Sequence, residues 1–400
     1  MKAAGRRRPR DRQRLLDQGR RQKMARSAHA YVRGNTSHFY EWLSSAPGHA
    51  LPLGPGVWIC GDCHLGNLGP VANAKGRVQI QIRDLDQSVI GNPAHDLVRL
   101  GLSLAMAARG SNLPGITTAY MLENMIKGYE AGLSHGVPDD DDIPEPIDRI
   151  LQQAFKRRWR NLAEERIKDV TPTIPLGRRF WALTVAENKE IARLVALPET
   201  QELITRMRHR HKKDELAVLD AAYWVKGCSS LGRLRYAVLI GIGKHSNFGK
   251  FCLVDIKEAV VAAAPRYAKS SMPRDNAKRV VEGARNLSPF LGERMLAARF
   301  LDRSIVIREL LPQDLKLEME RLTQEEAIAA AHLLAAVVGK AHARQMEASI
   351  RSEWRRDLSL CRTKTVDAPS WLWTSVVELV SSHELAYLEH CRRCTMPAKI

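Results

Sequence analysis

Two short apolar runs, each followed at once by a polar loop with carboxylates, constrain the fold of this chain most. Val57 to Cys60 has the β-branched and aromatic composition typical of a strand and leads into the loop 61–67. Residues 78–82 alternate apolar and polar side chains and lead into Asp84 and Asp86. The pattern predicts two strands that end in functional loops, because a rigid scaffold is needed to position reactive side chains.

The side chains of these loops suit phosphoryl transfer. That reaction needs one carboxylate to orient the attacking hydroxyl and oxygen ligands to hold Mg²⁺ beside the phosphates. Asp62 can take the first role as the catalytic residue. Asn67, Asp84 and Asp86 are the candidate metal ligands, since hard cations select oxygen donors.

The first loop, Gly61-Asp-Cys-His-Leu-Gly-Asn67, resembles the GDxHxxN catalytic loop of aminoglycoside and choline phosphotransferases, which are relatives of the protein kinases. The resemblance implies that Asp62 is the catalytic base and that His64 stabilises the loop. The segment Ile82-Arg-Asp84-Leu-Asp86, with its following Gly91-Asn-Pro93 and Asp96-Leu97, is similar to the metal-binding segment of those enzymes, although Arg83 departs from their pattern. The spacing in that family favours Asp84 over Asp86 as the principal ligand and implies that Asp96 braces the catalytic loop.

Nucleotide-binding motifs occur later in the chain. Residues Gly227-Cys-Ser-Ser-Leu-Gly232 resemble a glycine-rich phosphate cover, whose candidate binding residues are Gly227, Ser229, Ser230 and Gly232. Val254-Asp-Ile-Lys257 resembles the lysine strand of kinases, which implies that Lys257 contacts phosphates and pairs with Glu282 on the next helix. Taken alone, the glycine segment is equally typical of a hairpin turn, and the lysine of an edge strand.

The order of these motifs indicates a rearranged chain, because only about 60 residues precede the catalytic loop. We therefore expect an α+β, protein-kinase-like two-lobe fold that is circularly permuted, with a mostly helical large lobe and a small antiparallel β lobe. The predicted units are a basic tail, a large-lobe segment, a nucleotide-binding β lobe and a helical segment that completes the large lobe, at 1–26, 27–220, 221–315 and 316–400.

Local patterns predict the elements between the motifs. Helical spacing covers 115–134, 145–168, 186–220 and 274–300, with an acidic loop at 138–142. A buried helix is expected to follow Pro93 and to end at Gly110. A capping box, Thr323-Gln-Glu-Glu326, predicts the start of another buried helix.

Composition and charge indicate in which compartment the protein works. No apolar run approaches the roughly 20 residues of a membrane span, and no secretory signal is evident, so we expect a cytoplasmic protein with no membrane partner. Seven cysteines in such a chain suggest reduced thiols. The alternative is a zinc ion shared by the pairs Cys60/Cys63 and Cys391/Cys394.

Half of the net charge of +18 lies at the N-terminus, where residues 1–26 hold eleven Lys or Arg against Asp11 and Asp17. So few apolar residues predict a disordered, solvated arm. A weak contact between this arm and nucleic acid or another acidic surface is the alternative interpretation.

Across most of its length the sequence also resembles an uncharacterised bacterial family, domain of unknown function 2252. The resemblance includes Tyr31-Val-Arg-Gly34, the GDxHxxN loop and Arg279-Val-Val-Glu-Gly283. That family implies no substrate.

The function expected from these motifs is an ATP-dependent, kinase-like phosphotransferase with Mg²⁺ and an unidentified small-molecule or protein acceptor. An AMP transferase or a catalytically inert nucleotide-binding module would use the same site. A metallophosphatase-like hydrolase and an RNA-binding protein are the alternatives from other classes.

Overall fold

The computed structural model describes residues 9–45, 51–134, 147–149, 152, 173–207, 209–228, 231–244, 247–267, 270–312, 314, 323–359 and 367–395. It confirms the expected mixture of helix and sheet. The helices of these residues are α1 Pro9–Met24, α2 Ala28–Gly34, α3 Thr36–Ser45, α4 Pro93–Gly110, α5 Gly115–Ser134, α6 Val185–Ala196, α7 Pro198–Thr205, α8 Asn276–Leu287, α9 Pro289–Gly292, α10 Gln324–Ala343, α11 Ala348–Ser359 and α12 Ser370–Thr395.

The described residues contain ten strands, which form one six-stranded sheet and two small antiparallel pairs. The strands are β1 Val57–Ile59, β2 Leu68–Ala72, β3 Val78–Ile82, β4 Val89–Gly91, β5 Phe180–Trp181, β6 Glu215–Trp224, β7 Arg235–Lys244, β8 Asn247–Glu258, β9 Met295–Phe300 and β10 Arg303–Leu310. The large sheet has the order β5-β6-β7-β8-β10-β9 with antiparallel neighbours, and the pairs are β1 with β4 and β2 with β3.

The helical unit is built on α4, α5, α10 and α12, which share one apolar core with the small strand pairs. As predicted, α4 is buried and ends at Gly110, and Thr323 and Glu326 form a capping box at the start of α10. Helices α5 and α10 approach so closely that a Cβ on Gly128 would lie 2.0 Å from a backbone oxygen of His332. This close packing fixes the last turn of α10 beneath the catalytic loop.

The sheet unit has its own apolar cluster on one face of the six strands. Alternation along β8 turns Val254 and Ile256 into this cluster, together with Ile191 of α6. The intervening residues Asp255 and Lys257 therefore face the opposite side, toward the helical unit. A lysine on a central strand is thus directed into the space between the two units.

The predicted unit boundaries need correction. The β-rich unit was expected at 221–315, but β6 begins at Glu215 and β5 lies at 180–181. Helices α6 and α7 pack on the apolar face of the sheet and so belong with it, not with the segment 27–220. An exposed apolar sheet face must be covered, and the nearest amphipathic helices in sequence cover it.

Two stretches predicted to be helical end in strands. The stretch 186–220 enters β6 at Glu215, and 274–300 ends in β9. Both strands are stabilised by pairing with β7 and β10, and such tertiary pairing overrides local propensity. The acidic loop 138–142 and most of the predicted helix 145–168 lie outside the described residues.

The prediction of a disordered N-terminal arm is wrong for residues 9–24, which form α1. Arg12 makes a buried ion pair with Glu187 of α6 at 2.6 Å, and Leu16 and Met24 are also buried. Apolar side chains at helical spacing give α1 one face that packs on the sheet unit, which outweighs its high charge. Residues 1–8 lie outside the described part.

Among the described helices, none combines the length and the apolar character that crossing a bilayer requires.

Candidate active site

The loop of residues 60–67, which we call the catalytic loop after the segment that it resembles, follows β1 and is held by one carboxylate of α4. Asp96 accepts hydrogen bonds from the backbone N–H of Cys60 at 2.7 Å and of Gly61 at 2.9 Å, so its predicted bracing role is confirmed. Gly61 has a φ of +72°, and a Cβ there would lie 2.2 Å from the carbonyl oxygen of Gln87. Only glycine fits this turn, which brings the loop against the neighbouring segment.

A buried polar chain supports Asp96 from the last helices. His342 Nε2 of α10 lies 3.3 Å from Asp96 Oδ2, and its Nδ1 lies 2.9 Å from the hydroxyl of Tyr129. That hydroxyl in turn accepts a hydrogen bond from the indole N–H of Trp354 at 3.1 Å. Residues far along the chain therefore fix the backbone beneath Asp62.

Asp62 is bound by a fully buried arginine that the sequence reasoning missed. Arg99 of α4 donates to Asp62 Oδ1 at 2.9 Å and to the carbonyl oxygen of Val32 at 2.7 Å. Burial raises the pKa of Asp62, although Arg99 and a hydrogen bond from Thr36 act in the opposite direction. The available signal was an arginine one helical turn after Asp96 in an otherwise apolar helix.

Asn67 joins the catalytic loop to the next segment. Its side-chain amide N–H donates to the backbone oxygen of Asp62 at 2.9 Å. The backbone oxygen of Asn67 accepts a hydrogen bond from Arg83 N at 2.7 Å. Asn67 thus lies next to the start of the carboxylate loop, residues 83–87. His64 Nε2 lies 3.9 Å from Asp62 Oδ2, and burial together with Arg33 lowers the pKa of His64 well below its usual value.

Lys257 meets the carboxylate loop across the space between the two units. Its Nζ lies 3.3 Å from Asp84 Oδ1 and also forms an ion pair with the carboxylate of Asp86. Arg233, which follows the glycine-rich turn, lies 3.7 Å from Asp86. Two stretches that lie 173 residues apart in the chain therefore meet at this point.

The two carboxylates of this loop differ in charge environment. Burial acts to raise the pKa of Asp84, but Lys257 and Arg308 outweigh it and hold that pKa well below the usual value. For Asp86, burial and the neighbouring Asp84 raise the pKa despite Lys257. Asp84 is the more firmly ionised of the two, as suits a principal cation ligand.

A second buried charge group lies beside Lys257 on the sheet. Asp255 is fully buried and accepts from Arg235 Nε at 2.8 Å and from Arg308 Nε at 3.3 Å. Arg308 also donates to the carbonyl oxygen of Arg83 at 3.2 Å. These groups border a small open pocket, which is lined by Arg83, Asp84, Leu85, Asp86, Asp255, Lys257, Val280, Leu291, Met295, Val306 and Arg308.

Glu282 is not the partner of Lys257, and the prediction of that pair is wrong. The Glu282 side chain is 45% exposed and lies 3.9 Å from Arg285. Helix α8 instead contacts the carboxylate loop through Arg279, which is 2% exposed and donates to the backbone oxygens of Asp86 and Ser88. The helix is thus rotated so that its arginine, not its glutamate, points at the site.

The glycine-rich turn joins β6 to β7 as predicted. Gly227 has a φ of +90° and Gly232 one of +98°, which favours glycine at both positions. Helix α1 covers the turn, since Lys23 donates to the Gly227 carbonyl at 2.8 Å and a Cβ on Gly232 would lie 2.8 Å from Gln13. Ser229 and Ser230 lie outside the described residues.

The part of the chain that the structure describes holds no group of three or more His, Cys, Asp or Glu side chains arranged for a metal. Its cysteines are free, and Cys60 and Cys63 are buried in the apolar core. Asn67, Asp84 and Asp86 would offer an amide and two carboxylates, a donor set that suits Mg²⁺ shared with phosphates.

Comparison with known proteins identifies one family. A family model described as "Uncharacterized protein conserved in bacteria (DUF2252)" matches residues 12–393. No curated protein and no solved structure matches the chain. The chain belongs to this family, which confirms the resemblance seen in its sequence.

Proposed function

We propose that this family member is a Mg²⁺- and ATP-dependent phosphotransferase of the protein-kinase-like type. One observation carries the proposal: Lys257 of β8 lies 3.3 Å from Asp84, while Asp62 lies on the adjoining loop. A lysine that binds phosphates, a carboxylate that binds the metal and a carboxylate that orients the acceptor are the parts that phosphoryl transfer requires.

The proposed architecture is a permuted kinase-like fold. The helical unit would form the large lobe and the sheet unit the small lobe, with the cleft between them. The order β6, glycine-rich turn, β7, lysine strand β8, α8, β9 and β10 supports this assignment. The departure from the kinase pattern is that Lys257 pairs with the carboxylate loop, whereas Glu282 faces outward.

In the proposed reaction an acceptor oxygen or nitrogen forms a bond to the γ-phosphorus of ATP. The bond from that phosphorus to the oxygen bridging the β- and γ-phosphates breaks, and ADP leaves. Asp62 accepts the proton of the acceptor, and Arg99 holds Asp62 in position from beneath. Lys257 would exchange its contacts with Asp84 and Asp86 for contacts with phosphate oxygens.

Mg²⁺ would be held by Asn67, Asp84 and Asp86 and would neutralise phosphate charge. These residues suit the metal. The Asn67 amide nitrogen donates a hydrogen bond to the Asp62 carbonyl, so the amide oxygen of Asn67 is available as a metal ligand. The Asp84 side chain is 45% exposed and so is accessible to an incoming cation.

The proposal is tested by incubating the protein with Mg²⁺, cell extract and ATP that carries a label at either the α or the γ position. Label transfer from the γ position alone is expected for phosphoryl transfer, whereas transfer from the α position indicates AMP transfer. Asp62→Asn should reduce transfer by about 10²- to 10⁴-fold and retain ATP binding, and Asp84→Asn should impair both.

The matched control is Glu353→Gln, which changes a carboxylate that is 67% exposed on α11. It should transfer label as the unaltered protein does. Full activity in both Asp62→Asn and Asp84→Asn would refute the proposed roles.

A further inference from the structure

Four positively charged side chains from α1, α2 and their connection lie near the glycine-rich turn. Arg20, Lys23, Arg26 and Arg33 all act electrostatically on the Cys228 thiol of that turn. We refer to these four residues as the cationic cluster. None of them forms an ion pair with a carboxylate of the described residues.

Arg33 is the member nearest to the catalytic loop. A Cβ on Gly66 would lie 2.9 Å from Arg33 Nη2, so the guanidinium packs directly over this loop. Its Nε is buried without a hydrogen-bond partner, and the guanidinium donates no hydrogen bond to any described residue. An arginine offers five N–H donors in a planar fork, and here they are not used within the described structure.

Gly34, the residue that follows Arg33 in α2, adjoins the glycine-rich turn. A Cβ on Gly34 would lie 3.0 Å from Cys228 Sγ and 2.6 Å from Met24 Cγ. The ends of α1 and α2 and the turn therefore converge at this point. Arg33 lies between the loop that carries Asp62 and the turn that borders Asp86 through Arg233.

Two other members of the cluster, Lys23 and Arg20, donate hydrogen bonds to backbone carbonyls, which carry no net charge. Lys23 donates to the Gly227 carbonyl at 2.8 Å, and Arg20 donates to the Gly34 carbonyl at 3.0 Å. Partial burial, with contributions from Arg26 and Arg179, lowers the pKa of Lys23. Like charges that are not ion-paired with a carboxylate of the described residues repel one another, and an anion that enters the cluster relieves this repulsion.

We propose that the cationic cluster, with Arg33 at its centre, binds a phosphate group beside the loop that carries Asp62. Arginine forks match phosphate oxygens in geometry and charge, and the location is next to the proposed acceptor-orienting residue. The phosphate belongs either to the nucleotide or to a phosphorylated acceptor, and this assignment of its source rests on the proposed function.

The binding test uses calorimetry of the full chain with inorganic phosphate and inorganic tripolyphosphate. Arg33→Met keeps an unbranched side chain over Gly66 and removes the charge. It should weaken the binding of both anions by about tenfold or more, as expected for loss of charged hydrogen bonds. Arg14→Met, an exposed change on α1, is the matched control and should bind as the unaltered protein does.

Two further variants test the cluster in case Arg33→Met fails to fold. Lys23→Met should also weaken tripolyphosphate binding, by a smaller factor, and Arg33→Lys should retain part of the affinity. Anion affinities that stay unchanged in both Arg33→Met and Lys23→Met overturn the inference, as does an unaltered protein that binds neither anion.

Saturating ATP separates the two sources. If ATP blocks phosphate binding and Arg33→Met weakens ATP equally, the cluster binds the nucleotide. If phosphate binds alongside ATP and only phosphate binding depends on Arg33, the cluster binds the acceptor. Phosphate binding that depends on Arg33, without ATP binding, supports the phosphate site and contradicts the proposed function. ATP binding without any Arg33-dependent anion binding supports the proposed function and contradicts the phosphate site.

Discussion

The catalytic loop and the carboxylate loop adjoin each other, since Arg83 N donates to the Asn67 backbone oxygen, but they are held in opposite ways. The catalytic loop is fixed within the helical unit, where Asp96 accepts from its backbone and Arg99 pairs with Asp62. The carboxylate loop is held largely from outside, by Lys257 of the sheet and Arg279 of α8. The first loop is thus preorganised, whereas the second depends on charge pairs that cross the cleft.

The same difference appears in the pKa values of the two loops. Burial dominates at Asp62 and raises its pKa, because Arg99 is its one close cationic partner among the described residues. At Asp84 burial is outweighed by Lys257 and Arg308, and the pKa falls. A group with a raised pKa suits a base, and a group with a lowered pKa suits a metal ligand.

The strongest test of the preorganised loop is Arg99→Met. It leaves the Asp62 carboxylate buried without its cation, so we expect the free energy of unfolding to fall by about 3–5 kcal/mol. Urea denaturation measures this change. Arg109→Met, an exposed position on the same helix whose ion pair with Glu384 lies at the surface, should cost at most about 1 kcal/mol; equal losses in the two variants would contradict the comparison.

Asp96→Asn should have the next largest effect. The asparagine keeps one oxygen acceptor but turns an N–H₂ group toward the backbone donors of Cys60 or Gly61. The unsatisfied donor should lower the free energy of unfolding by about 1–3 kcal/mol. A variant as stable as the unaltered protein would show that the loop does not depend on this carboxylate.

Lys257→Met tests the loop that is held from outside. Its stability should change by about 1 kcal/mol, since the Asp84 side chain is 45% exposed and Arg233 remains 3.7 Å from Asp86. Without the cation, Asp84 and Asp86 should bind Mg²⁺ alone several-fold more tightly, while ATP binding weakens. Titration calorimetry measures both, and Lys250→Met on the same strand is the control, which should change neither.

The smallest expected effect is a shift in the acidic limb of the pH dependence of kcat/KM. Catalysis by Asp62 needs its ionised form, so the rate should fall as the pH falls through its raised pKa. The acidic limb of kcat/KM should therefore lie above the ordinary aspartate value of about 3.9. A limb at or below that value would show that Asp62 is not the group that titrates.

Sequence reasoning identified the carboxylate and lysine positions because their motifs are local. Asp62, Asn67, Asp84 and Lys257 each lie at the end of a strand or in a short segment whose pattern is visible without the fold. Arg99 and Arg279 were missed because the local sequence does not show which partner a helical arginine will meet. The error at Glu282 has the same origin, since the rotation of α8 depends on what it packs against.

The sequence by itself determined the family, the mixed helix-and-strand character and the loops that carry the carboxylates, since these depend on composition, periodicity and nearby residues. Only the tertiary structure decided that α1 is a packed helix, that Lys257 pairs with Asp84 and Asp86, and that Arg33 lies over Gly66. The physical reason is that burial and charge pairing act between residues that are distant in the chain. Their outcome depends on which surfaces meet, and local patterns do not specify that.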